Sequence, residues 1–326
     1  MSSSTSSFRR ELKVVAVLLL LLAGMEAFFR LAGKRFSAEL RRIEAIGVQA
    51  GRMFQQEGVR TLILGNSLTI DGIDRSLVLS GMESASGRRQ VLEVLALNGT
   101  ASCDWHRLLR VYFLDVGRRP DVLVINGRVG HFRDLEYRRP DRMAAYCPPS
   151  SWPEVLRDDL RTFGQRAEFI HAFALTSFAR RTGTRHKVLR QIVPHFRQCR
   201  QWTGNKARKA QAGPETERAD EPTFSQLAKL LDAARSHHIS VILVVMPTVR
   251  TRTIPPELLT LAKAKGVHVL DCRQVQDLSR EHFRDGVHMS PAGAKFFSPE
   301  LGRRLVASFP ELFGRPAAAP PTRPAP

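Results

Sequence analysis

Short apolar runs recur along the chain at intervals that suit buried strands. They lie at residues 61–64, 91–97, 121–125, 240–246 and 267–270. The runs are rich in Val, Ile and Leu, are too short for core helices, and are mostly bounded by Gly, Pro, Asn or Asp. The pattern therefore predicts five buried strands, as in a parallel sheet.

The stretches between these runs have helical periodicity. Apolar side chains recur every three or four positions in residues 36–57, 74–82, 104–116, 224–236, 255–265 and 291–307. Strands that alternate with helices pair in parallel through right-handed crossovers. The sequence therefore predicts one α/β domain with a central parallel sheet, spanning residues 34–314.

The alternation breaks between about 128 and 222, which predicts a helical, basic insertion in this domain. From 180 to 210 the chain has Lys and Arg residues but no acid. Two interpretations of this basic run stay open, a solvated or flexible face and a surface that binds a polyanion. The tail at 315–326 is rich in Pro and Ala and is predicted to be disordered.

The N-terminal region contains the most apolar stretch of the chain. Apolar character runs from 14 to 33, interrupted by Glu26 and Arg30. This stretch has about the 20 residues that a membrane-spanning helix needs. A basic tail, residues 1–13, precedes it, so a cleaved signal peptide is the alternative. No clean small-residue cleavage site is evident, which favours an uncleaved transmembrane anchor.

The composition narrows the possible partners. Lys and Arg number 50 against 31 Asp and Glu, which gives a formal net charge of +19. Nucleic acid is a usual partner of such charge, but beside a membrane anchor we expect anionic lipid or acidic polysaccharide and no nucleic acid. No His or Cys spacing indicates a metal site, and no glycine-rich loop indicates a nucleotide. We therefore expect neither a metal nor a cofactor.

A serine follows the first predicted strand directly. In Gly65-Asn66-Ser67-Leu68 the serine stands where a strand turns into a helix, at the carboxyl end of the sheet, where clefts form. A serine nucleophile needs a histidine base that a carboxylate orients. Asp285 and His288, just before the last helix, could supply both groups. Taken separately, Ser67 could be a helix N-cap and the other pair a loop hydrogen bond.

Together, the two segments resemble a known superfamily. Gly65-Asn66-Ser67-Leu68 resembles the Gly-Asp-Ser-Leu block of the GDSL, or SGNH, hydrolases, and Asp285-x-x-His288 resembles their last block. The resemblance implies a flavodoxin-like three-layer α/β/α fold with a central parallel sheet. It also implies that Ser67 is the nucleophile, His288 the base and Asp285 the residue that orients the base.

The resemblance implies two further groups, which would form an oxyanion hole with the amide of the nucleophile. The family uses a glycine after the second strand, and Gly99 is the only glycine there. It also uses an asparagine after the third strand, for which Asn126 is the candidate, although Asn126-Gly127 departs from the family's Gly-x-Asn order. Ser102 and Asn98 are the alternatives.

Two other features leave alternatives open. His131 follows the third strand at the edge where a substrate would bind, so it could contact substrate. We favour the interpretation that it is an ordinary loop histidine. Cys147 and Cys199, both in the insertion, could form a disulfide if the domain is exported, or remain thiols.

The layout as a whole resembles one branch of the superfamily. A single N-terminal anchor, an SGNH core over roughly 58–127 and 224–308, and Pro120-Asp121 before the third strand are similar to membrane-tethered bacterial SGNH proteins that modify cell-surface polymers. The resemblance implies a single-pass protein of the inner (cell) membrane with an extracytoplasmic or periplasmic domain. Basic residues flank both ends of the span, and by charge alone they mildly favour the opposite orientation.

The same resemblance implies a serine acyl-ester enzyme, an O-acetyl or other acyltransferase or a deacylase, acting on an extracytoplasmic polysaccharide. Its expected partners are an acyl donor, a glycan acceptor and a membrane-bound O-acyltransferase, with membrane lipid around residues 14–33. One alternative is a general esterase or lipase of the same fold. Another is a catalytically inactive scaffold that partners the membrane-bound acyltransferase.

Overall fold

The computed structural model describes residues 4–134, 140–175, 223–250 and 253–314. These residues form two compact units, each described here by itself. The larger unit contains the described residues of 42–134 and 223–314, and the smaller unit contains those of 4–41 and 140–175.

Three predictions concern segments outside the described residues. They are the basic run at 180–210, the disulfide partner Cys199 and the tail at 315–326. These stay predictions.

The larger unit is built around a five-stranded parallel sheet. Its strands are β1 (Val59–Gly65), β2 (Gln90–Ala96), β3 (Val122–Gly127), β4 (Ser240–Val245) and β5 (His268–Asp271). They lie in the order β2-β1-β3-β4-β5, and every neighbouring pair is parallel. This is the strand order of flavodoxin-like sheets, so the α/β fold predicted from the alternating pattern is confirmed.

Helices follow the strands as the periodicity predicts. In chain order the helices are α1 (Ser4–Phe36), α2 (Ala38–Met53), α3 (Ser67–Gly72), α4 (Arg75–Ser86), α5 (Ser102–Tyr112), α6 (Val129–Phe132), α7 (Pro140–Tyr146), α8 (Trp152–Glu154), α9 (Phe163–Ala174), α10 (Ser225–Ser236), α11 (Pro256–Lys265), α12 (Pro291–Ser308) and α13 (Pro310–Phe313). Single turns of 3-10 helix lie at Leu114–Val116, Pro149–Ser151 and Arg280–His282, and a π-helical turn lies at Val155–Asp159.

Both faces of the sheet are covered. On one face α4 and α12 pack against each other and close a core over alternate strand residues. That core includes Ile63, Leu92, Val124, Ile242, Val78, Met82, Phe297 and Leu301. The intervening strand residues point to the opposite face and are also fully buried, among them Leu62, Leu123 and Leu243. Helices α5 and α10, which pack against each other, lie outside the first core, so the unit has three layers.

The smaller unit contains the described part of the predicted insertion, and this part is helical. Helices α7 and α9 pack against each other. The Trp152 ring meets Phe169 and Phe173 edge-on, with ring centroids 5.6 and 4.2 Å apart. Aromatic packing of this kind gives these short helices a core of their own.

Helix α1 contains the segment that the sequence predicts to be a membrane anchor. Its residues 18–22, all leucines, are between 53 and 72% exposed. Among the residues whose side chains the structure describes, which in α1 are 11–28, 30 and 31, no helix is long and apolar enough to cross a membrane. The anchor at 14–33 stays a prediction.

Candidate active site

The turn after β1 presents Ser67 at the carboxyl end of the sheet. Asn66 is the N-cap of α3, and its Oδ1 accepts a hydrogen bond from Leu68 N–H at 3.0 Å. A side chain at Gly65 would overlap the Thr69 hydroxyl, so only glycine fits before this turn. Ser67 is the first residue of α3 and is half-buried. Its N–H is one of the helix-start donors that have no partner within the helix.

The loop before α12 holds Asp285 and His288 in a tight turn. An antiparallel bridge between Phe283 and Met289 closes the loop, and Arg284 N–H donates to the His288 carbonyl at 2.8 Å. Asp285 Oδ1 accepts from the N–H of His288 at 2.9 Å and of Val287 at 3.1 Å. The loop backbone therefore fixes the direction of the carboxylate.

The structure brings Ser67, His288 and Asp285 into one chain of hydrogen bonds. Ser67 Oγ lies 3.0 Å from His288 Nε2, and His288 Nδ1 lies 2.8 Å from Asp285 Oδ2. The side chains of His288 and Asp285 are 26 and 36% exposed, so the group is open to a ligand. A carboxylate on Nδ1 holds the proton there and leaves the Nε2 lone pair for the serine proton.

The charge of Asp285 is stabilised inside this group. Partial burial acts to raise its pKa, but the hydrogen bonds from the backbone and side chain of His288 and from Val287 N–H outweigh it. The result is a pKa of about 2. Asp285 is therefore ionised at neutral pH and can stabilise a protonated His288.

Gly99, predicted to serve the oxyanion hole, lies in a turn that is bonded to the nucleophile segment. Thr100 Oγ1 donates to the Gly65 carbonyl at 3.0 Å, and Asn66 Nδ2 donates to the Thr100 carbonyl at 3.3 Å. Gly99 itself has φ of 68°, the left-handed region that favours glycine. Its oxyanion role stays a prediction, as do the alternatives Ser102, the first residue of α5, and Asn98.

Asn126, the other predicted oxyanion donor, lies inside the sheet. It pairs in register with Gly65, one residue before β3 ends, and is fully buried. Its Nδ2 donates to Thr69 Oγ1 at 3.1 Å. The structure therefore does not bring the Asn126 amide into the hydrogen-bonded chain of Ser67, and its oxyanion role stays a prediction.

His131, which the sequence analysis favoured as an ordinary loop histidine, is hydrogen-bonded to the nucleophile turn. Its Nδ1 lies 2.8 Å from Asn66 Nδ2 and accepts from Arg128 N–H at 3.3 Å. Burial, the charge of Arg128 and the charge of His288 lower its pKa to about 3. His131 is thus a neutral side chain beside the site. The only sequence indication was its position after the third strand.

Comparison with known proteins finds likeness in solved structures alone. No protein-family model and no curated protein matches the chain. A lipase/acylhydrolase from Enterococcus faecalis is 15% identical, with 80% of this chain and 100% of that chain covered and a TM-score of 0.40. An esterase from Pseudoalteromonas sp. is 12% identical, with 79 and 100% covered and a TM-score of 0.38. A variant of an acetyl-xylooligosaccharide esterase from Geobacillus is 10% identical, with 77 and 94% covered and a TM-score of 0.38.

Proposed function

We propose that this protein is a serine acyl-ester enzyme of the SGNH type in which Ser67, His288 and Asp285 form the catalytic triad. One observation carries the proposal. Ser67 Oγ, His288 and Asp285 make a continuous pair of hydrogen bonds, 3.0 and 2.8 Å long, at the carboxyl end of β1. A nucleophile bonded to a base that is itself oriented by a carboxylate is the arrangement that activates serine.

The reaction proceeds through an acyl-enzyme. Ser67 Oγ attacks the carbonyl carbon of the ester, and its proton passes to His288 Nε2. The tetrahedral intermediate then breaks its bond to the leaving alcohol, which takes the proton back from His288. Water or a second alcohol next attacks the acyl-serine, giving up its proton to His288, which returns it to Ser67 Oγ. Asp285 stays ionised throughout and stabilises the imidazolium that forms twice.

Helix-start geometry supports part of the oxyanion hole. The Ser67 N–H lies at the first position of α3 and has no acceptor within the helix, so it is available to the oxygen of the attacked carbonyl. Gly99, in the turn bonded to the nucleophile segment, is the proposed second donor. Asn126 is a weaker candidate because Thr69 already accepts from its amide.

We propose further that the acyl acceptor is a hydroxyl of an extracytoplasmic polysaccharide and that residues 14–33 anchor the enzyme in the bacterial inner membrane. The exposed leucines of 18–22 support an apolar environment for α1, because such a surface is costly in water. The similarity of the layout to membrane-tethered SGNH proteins supports a glycan acceptor and a membrane-bound O-acyltransferase as the source of the acyl group. Transfer to water instead of sugar would make the same triad an esterase or deacylase.

Loss of the nucleophile tests the proposal. The full-length protein and its Ser67→Ala variant would be incubated with p-nitrophenyl acetate, with and without an oligosaccharide, and analysed by mass spectrometry. We expect an acetyl adduct on Ser67 in the wild type and a loss of turnover by about 10⁴-fold or more in the variant. Acetylated sugar would identify a transferase, and free acetate alone an esterase.

The matched control is Ser236→Ala, which removes an exposed hydroxyl at the end of α10 and should leave turnover unchanged. Full activity in Ser67→Ala would contradict the triad. The scaffold alternative would be favoured if the wild type shows no turnover, no acetyl adduct on Ser67 and no labelling by a fluorophosphonate probe.

A further inference from the structure

The orientation of the Asn66 side-chain amide is fixed by groups that can play only one role. Leu68 N–H can only donate, so the atom that accepts from it is the oxygen Oδ1. The Thr100 carbonyl can only accept, so the atom that it meets at 3.3 Å is the nitrogen Nδ2. The amide nitrogen of Asn66 is therefore the atom that faces His131.

This orientation fixes the tautomer of His131. Asn66 Nδ2 has only hydrogens to offer, and it lies 2.8 Å from His131 Nδ1, which must accept. Arg128 N–H donates to the same ring nitrogen at 3.3 Å. A proton on Nδ1 would meet both donors, so the ring carries its proton on Nε2. Burial, with smaller contributions from the charges of Arg128 and His288, lowers the pKa of His131 to about 3, so the ring stays neutral.

The remaining ring nitrogen of His131, Nε2, is not enclosed by the protein. Within the described residues the ring makes its hydrogen bonds through Nδ1 alone, and Nε2 is not among the buried polar atoms that lack a partner. The residue is half-buried, and its neighbour Asn66 directly precedes Ser67.

Close packing holds the ring in this position. A side chain at Gly127 would come within 3.5 Å of His131 Nδ1 and within 3.2 Å of the Trp105 ring. The turn from β3 into α6 therefore has little spare room beside the imidazole and the Trp105 ring. Since β3 lies beside β1 in the sheet, this turn and the nucleophile turn are neighbours at the carboxyl edge.

From this geometry we infer that His131 is a neutral hydrogen-bond donor, through Nε2–H, to the carbonyl oxygen of the acyl group bound at Ser67. The inference rests on the proposed acyl-ester function. Donors that are fixed before charge develops on this oxygen stabilise the transition state most. His131 would supply such a donor without carrying a charge of its own, and it cannot act as a second base because Nε2 is already protonated.

The first test reads the tautomer in the full-length wild type labelled with ¹⁵N-histidine. We expect two-bond ¹H–¹⁵N correlations to show Nε2 protonated and Nδ1 unprotonated in His131, assigned by their absence from His131→Gln. After Ser67 reacts with a fluorophosphonate, whose phosphoryl oxygen stands in for the acyl oxygen, the Nε2–H resonance should move downfield. A proton on Nδ1, or an Nε2–H resonance that does not respond to the adduct, would overturn the inference.

The second test measures turnover of p-nitrophenyl acetate. His131→Ala should lower kcat by about 10²-fold while KM changes little, because the lost donor acts mainly on the transition state. His131→Gln, which keeps an N–H donor near the Nε2 position, should recover part of that loss. His237→Ala, at the end of α10, is the control for removing a histidine elsewhere.

The outcomes separate the two proposals. If the wild type turns over and Ser67 is labelled, but His131→Ala has the wild-type kcat, the inference is wrong and the proposed function stands. If Ser67 is not labelled and the wild type does not turn over, the proposed function fails and the inference fails with it.

Discussion

Two histidines belong to this site, and they are held in opposite ways. His288 has a carboxylate at Nδ1, at 2.8 Å from Asp285 Oδ2, whereas His131 has an amide donor at Nδ1, at 2.8 Å from Asn66 Nδ2. The two distances are equal, yet the proton lies on Nδ1 in the first ring and on Nε2 in the second. The group that meets Nδ1 therefore decides whether the outer nitrogen accepts or donates.

The comparison shows how one residue type can take both roles at a single serine. His288 keeps a free lone pair on Nε2 and can take the Ser67 proton. His131 keeps a proton on Nε2 and stays neutral, with a pKa of about 3 that burial and nearby positive charge lower. A base that takes up the serine proton and a donor that stays neutral can then work side by side.

Asp285→Asn should have the largest effect, because it removes the carboxylate from Nδ1 of His288. An amide at this position can donate to Nδ1, which would move the His288 proton to Nε2 and leave no lone pair for Ser67. We expect kcat to fall by roughly 10⁴-fold at neutral pH, as loss of the correct tautomer does in serine triads. The measurement is steady-state turnover of p-nitrophenyl acetate, with the tautomer read by ¹⁵N resonances.

The control for this change is Asp271→Asn at the end of β5. That carboxylate is bonded to Arg273, two residues away, and its replacement should leave kcat within about twofold of the wild type, as expected for a surface change. An active Asp285→Asn enzyme would mean that His288 does not depend on the carboxylate for its tautomer.

Asn66→Asp would give His131 a carboxylate partner at Nδ1, as His288 has. Aspartate keeps the N-cap acceptor for Leu68 N–H but replaces the donor at His131 Nδ1 with a carboxylate oxygen. We expect the proton of His131 to move to Nδ1 and its pKa to rise, because a negative charge favours the protonated ring. Turnover should fall by about 10- to 100-fold, since the Nε2–H donor is lost from the neutral ring.

Asn66→Ser is the matched variant for this experiment. It keeps a helix cap and adds no charge, so the pKa of His131 should rise less than in Asn66→Asp. The NMR resonances of His131, followed against pH in each variant, give its pKa in Asn66→Asp and in Asn66→Ser. If His131 in Asn66→Asp keeps its proton on Nε2 alone, the hydrogen bond from Asn66 is not what sets the tautomer.

The sequence could predict the features of this protein that depend on local pattern. The strands and helices follow from apolar periodicity because both faces of the sheet are buried. The roles predicted for Ser67, Asp285 and His288 follow from the resemblance of their two short segments to the blocks of the superfamily. Each of these inferences needs only local pattern and chain order.

Contacts between distant segments could not be predicted from local pattern and chain order. Asn126 looks like a residue after the strand, but β3 continues to Gly127 and the buried amide meets Thr69. His131 looks like a loop residue because its defining partner, Asn66, is 65 positions away. The tautomer of a histidine depends on such a partner, and no periodicity in the sequence encodes it.

The smallest effect that we predict concerns stability in mild acid. The pKa of His131 is about 3 in the folded protein and near 6.5 in an unfolded chain. As pH falls below about 6.5, the unfolded chain binds a proton that the folded protein does not, so the free energy of unfolding decreases. His131→Gln removes the side chain that binds this proton in the unfolded chain. The free energy of unfolding should then change less steeply with pH, by up to about 1 kcal/mol per pH unit.

Urea unfolding between about pH 4.5 and 6.5 measures this slope apart from Asp285. Hydrogen bonds hold the pKa of Asp285 at about 2 against the opposing effect of burial. The contribution of Asp285 to the free energy of unfolding is therefore fully present above its pKa in the unfolded chain, near 3.9. It is lost only at lower pH. His237→Gln is the control for removing one histidine. Equal slopes in His131→Gln and the wild type would mean that His131 takes up a proton in the folded protein, which the two donors at its Nδ1 should prevent.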